Sequence, residues 1–291
     1  MIFKTLFLSL IFFIMASLGY GMQWQALHKK ADSFTLEQAQ DFFKEAPEAL
    51  EGMYVLGLVY LNLRLDNEAG DIFGRMLKKD GTLVPARWGE AEVLRRQHHL
   101  DESKNKLKDI IKNNPDFSPA YNSLASIYYF EGKFKKVIAL SAKVIKQGKE
   151  KAGGADLVRA HCLYARAKVI MAHFGGPLAK IISGSAVMRH LEIARKIQPD
   201  SAYVYFVMGN YYLLSPVLFG RNLRKAEQYF LKTVKKDPLF TDAYVRLGQV
   251  YKLEGDRKKY DSYIMKAFEV DSQNQLAIDV RSEACRLACF K

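Results

Sequence analysis

Apolar residues along most of this chain recur at intervals of three and four, not two. In SPAYNSLASIYYFEGK, counted from Ser118, the residues Tyr121, Leu124, Ala125 and Tyr128 fall on one helical face, and Gly132 closes the run. TDAYVRLGQVYKLEGD, counted from Thr241, repeats the arrangement with Tyr244, Leu247, Gly248, Tyr251 and Gly255. The frame also fits from Leu50 and Val84, so starts at 50, 84 and 118 lie 34 residues apart. A second amphipathic segment follows each turn, as with Ala69 and Phe73 at positions 20 and 24 of the unit from Leu50. A fixed period of this length signals stacked helix pairs, each unable to bury its apolar face without a neighbour. Glycine at position 15 suits a helix end, where left-handed backbone costs it nothing. No stretch keeps a period of two, so no sheet is expected.

Two units depart from the spacing. Counted from Ala160, the frame gives Leu163, Ala167 and Ile170, and then Leu191, Ala194 and Pro199 arrive eight residues late. Counted from Ala202, it gives Tyr205, Met208, Gly209 and Tyr212, with Ala226, Phe230 and Pro238 five late. The extra residues read as loops, HFGGPLAKIISGS and LLSPVLFGRN, and KQGKEKAGGAD around 146–156 reads as a separator. Such insertions collect on one face of a repeat array, often the binding face, although a tolerated loop extension explains them equally well. The expected boundaries are repeats at 50–83, 84–117, 118–151, 160–201, 202–240 and 241–274. Residues 22–49, with a capping box at Thr35 and Gln38, form an N-terminal helical cap, and 275–291 a C-terminal capping helix.

The N-terminus adds a location. Lys4, the apolar run Thr5–Leu18 and the small residues Ala16, Ser17, Gly19 and Gly21 have the three parts of a secretory signal, expected over 1–21. The run is shorter than the ~20 residues a spanning helix needs, which favours cleavage over a permanent anchor. The chain has no Asn-x-Ser/Thr acceptor, so a bacterial export route and a periplasmic location are expected. Of the three cysteines, Cys162 stands alone and Cys285 and Cys289 lie four apart, a poor disulfide framework. They read as small buried residues, with a redox or metal role for the Cys285/Cys289 pair as the alternative. The net charge of +13 is spread over loops and second helices, as a solvated outer face or as a contact for an acidic partner or anionic membrane surface. No nucleic-acid module is visible.

The pattern resembles the tetratricopeptide repeat family in its small residue at position 8, aromatic at 11, Ala at 20 and Pro at 32, the last met at Pro115. The resemblance covers about residues 50–274 and implies an all-α, right-handed superhelical solenoid of antiparallel helix pairs, about six repeats with terminal caps. It also implies that first helices line a concave groove through positions 5, 9 and 12. Those positions give Tyr54, Trp88, Asn122, Tyr164 and Phe206, then Lys168 and Asn210, then Arg95, Tyr129 and Lys252, as candidate binding residues. Aromatics there offer contact area at low rotamer entropy, and a protein or peptide segment is the expected partner. The family's carboxylate clamp is excluded, because Tyr54 and Leu58 stand where it needs Lys and Asn.

Catalytic chemistry is not expected. His98 and His99 lie on a turn, and His161, Cys162 and His173 have no helical ligand spacing. No nucleophile elbow, zinc-protease helix or phosphate-cradling loop occurs, and no cofactor or metal is expected. The reading is an exported, non-catalytic scaffold in envelope or transport-related assembly. A second resemblance gives the alternative: Pro216, Gly220, Lys225, Ala226 and Phe230 are similar to a segment of the periplasmic T-component of TRAP-type transporters, with Arg221 replacing a glycine. That resemblance implies a small ligand or a transporter subunit as partner.

Overall fold

A computed structural model of the chain describes residues 24–217 and 220–283. The expected signal segment 1–21, Cys285, Cys289 and residues 284–291 of the expected terminal helix lie outside the described residues. The described residues form helices and turns, without a strand. The chain divides into two compact units. Residues up to Ser123 together with Gln147–Gly153 make the first, and Leu124–Lys146 with Gly154 onward make the second.

The first unit contains α1 (24–33), α2 (Leu36–Glu45), α3 (Leu50–Asn62), α4 (Asp66–Lys79), α5 (Val84–Arg96), α6 (Leu100–Asn113) and the start of α7 (Ser118–Phe130). Successive helices pack on each other from α2 to α6, and α3 also packs on α5. Phe73 of α4 is fully buried. A Cβ on Gly57 would come within 2.9 Å of its ring and one on Gly89 within 2.4 Å, so the ring fills the space these glycines leave. The expected box at the start of α2 forms: Gln38 N–H donates to Thr35 Oγ1 at 3.2 Å, and Thr35 N–H to Gln38 Oε1 at 2.9 Å.

The second unit holds the rest of α7, most of α8 (Phe134–Ala152), and α9 (Gly154–Phe174), α10 (Pro177–Ile197), α11 (Ala202–Leu214), α12 (Leu223–Lys236), α13 (Thr241–Glu254), α14 (Arg257–Val270) and α15 (Gln275–Arg281). Here α9 packs on α10 and α11, α11 on α12, α12 on α13, and α13 on α14 and α15. Phe230 of α12 is buried against Gly209 as Phe73 is against Gly57.

One turn geometry recurs where a first helix ends. The amides of Leu65, His99, Lys133 and Asp256 donate to the carbonyls of Tyr60, Leu94, Tyr128 and Tyr251 at 2.8–2.9 Å. The residue before each donor has left-handed backbone: Arg64 (φ 62), His98 (φ 64), Gly132 (φ 71) and Gly255 (φ 81). This six-to-one bond over a left-handed residue is the Schellman motif, which satisfies carbonyls the helix end leaves open.

Two expected loops are helical instead. The expected loop HFGGPLAKIISGS is taken up by the end of α9 and the start of α10, each 21 residues long, with Gly176 as N-cap and Pro177 in the first turn of α10. Proline tolerates that place because its missing N–H would have no helical acceptor there. The separator around 146–156 is likewise taken up by the end of α8 and the start of α9, because its Lys, Glu and Ala residues are good helix formers. Only Gly148 (φ 71) and Gly153 (φ 77) interrupt it.

Candidate functional site

In the first unit the face of the first helices is occupied by the chain itself. Helix α1 presents Trp24, Leu27, His28 and Ala31, spaced i, i+3, i+4 and i+7 and therefore on one side. Trp24, Leu27 and Ala31 are buried. Trp24 meets Tyr54 edge-on with ring centroids 4.7 Å apart. His28 lies 5.4 Å from the Tyr54 ring and 5.5 Å from the Trp88 ring, and its Nε2 shares a hydrogen bond with the Tyr54 hydroxyl. Gln25 donates to the carbonyl of Lys151. On the outer side, the Lys30 ammonium sits 3.7 Å from the centroid of Phe42.

Beneath this helix, Trp88 is held by a polar chain. Its indole Nε1–H donates to Ser123 Oγ at 3.0 Å, and Ser123 donates to Glu92 Oε2 at 2.7 Å. Glu92, 1% exposed, also accepts from Arg95 Nε at 3.0 Å and Arg95 Nη2 at 2.6 Å. Arg96 reaches Glu92 at 3.5 Å, the Leu61 carbonyl, and Asp66 at 3.4 Å. A buried carboxylate stays ionised only when neighbours compensate it in this way. Burial pushes the Arg96 guanidinium down to about 10, against the pull of Glu92.

In the second unit, Arg166 of α9 stands at a position where four of the other repeats carry Leu or Met (Leu56, Leu124, Met208 and Leu247) and the repeat from Val84 carries Glu90. Its guanidinium carbon is 4.3 Å from the Tyr129 ring, 5.1 Å from Phe206 and 5.8 Å from Tyr203. It donates to the Tyr203 hydroxyl at 3.2 Å and to Asp242 at 3.4 Å, and Asp242 also accepts from Asn274 at 3.0 Å. Burial opposes the charge of Arg166, but Tyr203, Tyr129 and Asp242 outweigh it and hold the group above its usual range.

The expected groove residues therefore separate. Tyr54, Trp88, Asn122, Tyr129, Phe206 and Asn210 are all buried and do not form an open surface. Tyr54 and Trp88 are covered by α1, Tyr129 and Phe206 wall Arg166, and Asn210 donates to the Phe206 carbonyl one turn back at 3.0 Å. Arg95 is engaged by Glu92. Tyr164 and Lys168 are half-buried and Lys252 is exposed, so these three keep solvent-facing surface. The family frame treats each repeat as if only its two neighbours met it, and α1 and Arg166 break that assumption.

One pair went unforeseen. His161 of α9 and His190 of α10 are buried with their Nδ1 atoms 2.7 Å apart, and His190 stacks on Tyr164 at 4.2 Å. Burial and then His190 push His161 down to about 4. His190 is also lowered, by burial and by Arg189 and Lys168. Nothing in the spacing of 29 residues across a lengthened repeat predicts this contact. Burial pushes the neighbouring Cys162 thiol up to about 12, which leaves it protonated and inert. Among the described residues no cluster of three or more His, Cys, Asp or Glu side chains is placed to hold a metal ion.

No family model matches the sequence, and no curated protein is similar to it. Solved structures are similar in fold. A tetratricopeptide repeat protein from Parabacteroides merdae matches with a TM-score of 0.53 at 12% identity, over 89% of this chain and 97% of its own. The Cut9–Hcn1 hetero-tetramer of the APC/C matches with 0.57 at 13%, over 87% of this chain and 46% of that one. The human IFIT1 dimer with PPP-AAAA matches with 0.55 at 17%, over 80% and 54%. At these identities the likeness establishes the fold.

Proposed function

We propose that this chain, an all-α protein with the tetratricopeptide-repeat fold, is a non-catalytic scaffold that holds a segment of another protein against its first helices. The seating of α1 on Tyr54 and Trp88 carries this reading, since it displays a short amphipathic helix held there by ring contacts and a hydrogen bond. That is the helix-in-groove mode of recognition. The groups that could serve catalysis favour the same reading. Glu92, Arg95 and Arg96 engage each other, and His161 and His190 face each other in the interior. The apolar N-terminal stretch behind Lys4 supports action outside the cytoplasm, in the periplasm.

The test is crosslinked capture from the chain's own host, comparing the natural sequence with a Tyr54→Leu, Trp88→Leu variant of matching circular dichroism. A defined protein retained by the first and lost from the second is the expected result. Identical partner sets for the two would count decisively against this face as the binding surface.

A further inference from the structure

We infer that residues 24–33 are an exchangeable internal ligand, displaced by a partner helix with the same anchors. The inference rests on the scaffold reading above and names its partner class. The partner is an amphipathic helix with an aromatic residue first, an aliphatic residue three later, a hydrogen-bonding side chain four later and a small residue seven later. Trp24, Leu27, His28 and Ala31 are that pattern in the chain itself.

Three observations carry it. First, the rings of the seat are also held from beneath, independently of their occupant. Trp88 is fixed from below through Ser123 and Glu92, and the Tyr54 ring rests on Phe73 with centroids 6.2 Å apart. Second, the departure of α1 need not unravel its neighbour. Only residues 34 and 35 separate α1 from α2, and the start of α2 is capped by its own Thr35–Gln38 box. Third, the vacated seat is not self-sufficient. It would bare Tyr54 and Trp88, now 0% and 5% exposed, as adjoining aromatic surface that calls for a replacement cover. The face thus has two covered states, one with α1 and one with a partner. A partner's affinity is scaled down by the fraction of time α1 leaves the seat open.

The experiment uses a fluorescently labelled peptide of residues 24–35 and the full chain, read by anisotropy. The Trp24→Ala, Leu27→Ala variant, with its own α1 loosened, binds the peptide at least tenfold more tightly than the natural chain does. Adding Trp88→Leu abolishes that binding. Absence of binding by a folded loosened variant, or equal binding by it and the natural chain, overturns the inference. Should the loosened variant not fold, hydrogen exchange on the natural chain decides. Amides of 24–33 exchanging well ahead of those in α3 and α5 support exchange, and equal protection overturns it. A partner captured through Tyr54 and Trp88, with no peptide bound, would leave the scaffold standing and remove only the exchange.

Discussion

A Cβ on Gly209 would lie 2.5 Å from Cε1 of Phe230, closer than any real side-chain contact, so the two residues fit only because Gly209 has no side chain. Gly209 lies inside α11, where helix propensity alone would make Gly→Ala stabilising by ~1 kcal/mol. Overpacking a close-fitted core costs about 1–3 kcal/mol, so the steric effect should win. Gly209→Ala is expected to lower the denaturant midpoint, and Phe230→Leu added to it should recover part of the loss. A Gly209→Ala chain as stable as the natural one would refute this account of the packing.

The left-handed residue that ends four first helices gives a prediction of opposite sign. Arg64 and His98 hold at φ 62 and 64 a conformation that costs a non-glycine residue roughly 1–2 kcal/mol. Glycine removes that cost and loses about 0.5–1 kcal/mol through greater freedom when unfolded. Arg64→Gly and His98→Gly should each stabilise by a few tenths to 1 kcal/mol, the former also relieving the repulsion that Arg64 exerts on Arg96. Gly132→Ala should do the reverse, for backbone reasons alone, because a Cβ there meets nothing within 4 Å. Chemical denaturation of the three variants checks both signs.

The same turn shows how far the sequence could be read. Gly132 and Gly255 announce it, because glycine is the usual solution to left-handed backbone, whereas Arg64 and His98 pass unnoticed although their amide bonds match. The helix pairs were legible because small residues at Gly57, Gly209 and Gly248 recur where a second helix must approach. The candidate site was much less so. A frame that numbers positions within one repeat can place Tyr54 and Trp88 on one row, but α1 lies outside that frame. The i, i+3 and i+7 spacing of Trp24, Leu27 and Ala31 sets them on one face of that helix, but nothing in the spacing tells where the face rests.

Arg166 is another place where the pattern and the packing diverge, and it yields a stability prediction. Removing one member of a buried ion pair typically costs 3–5 kcal/mol, much of it from the charge left behind. Asp242 keeps the Asn274 hydrogen bond when Arg166 is lost, and both side chains retain about a tenth of their exposure, so the cost should fall at or just below the lower end of that range. Arg166→Met is expected to destabilise by roughly 2–3 kcal/mol, and Arg166→Met with Asp242→Asn by clearly less. Additive losses in the double variant would show that the pair itself contributes little and the aromatic packing of Tyr129 and Phe206 decides.

The His161–His190 contact makes the chain sensitive to acid. With Nδ1 atoms 2.7 Å apart, one ring must donate and the other accept, which requires at least one neutral imidazole. Both groups titrate below their usual range, His161 at about 4, because burial disfavours the charge and the nearby cations Arg189 and Lys168 add to it at His190. A depressed folded-state value means that the unfolded chain binds protons first as pH falls. The stabilisation is therefore complete above the unfolded value of about 6.5 and is lost progressively as pH drops toward 4. For His161 alone this amounts to roughly 2–4 kcal/mol. Unfolding midpoints measured from pH 8 to 4.5 should be level above 7 and fall below 6.5. In His161→Leu that acid slope should be markedly shallower, whatever the variant's stability at pH 8. An unchanged slope would place the acid sensitivity elsewhere and leave the histidine pair as ordinary packing.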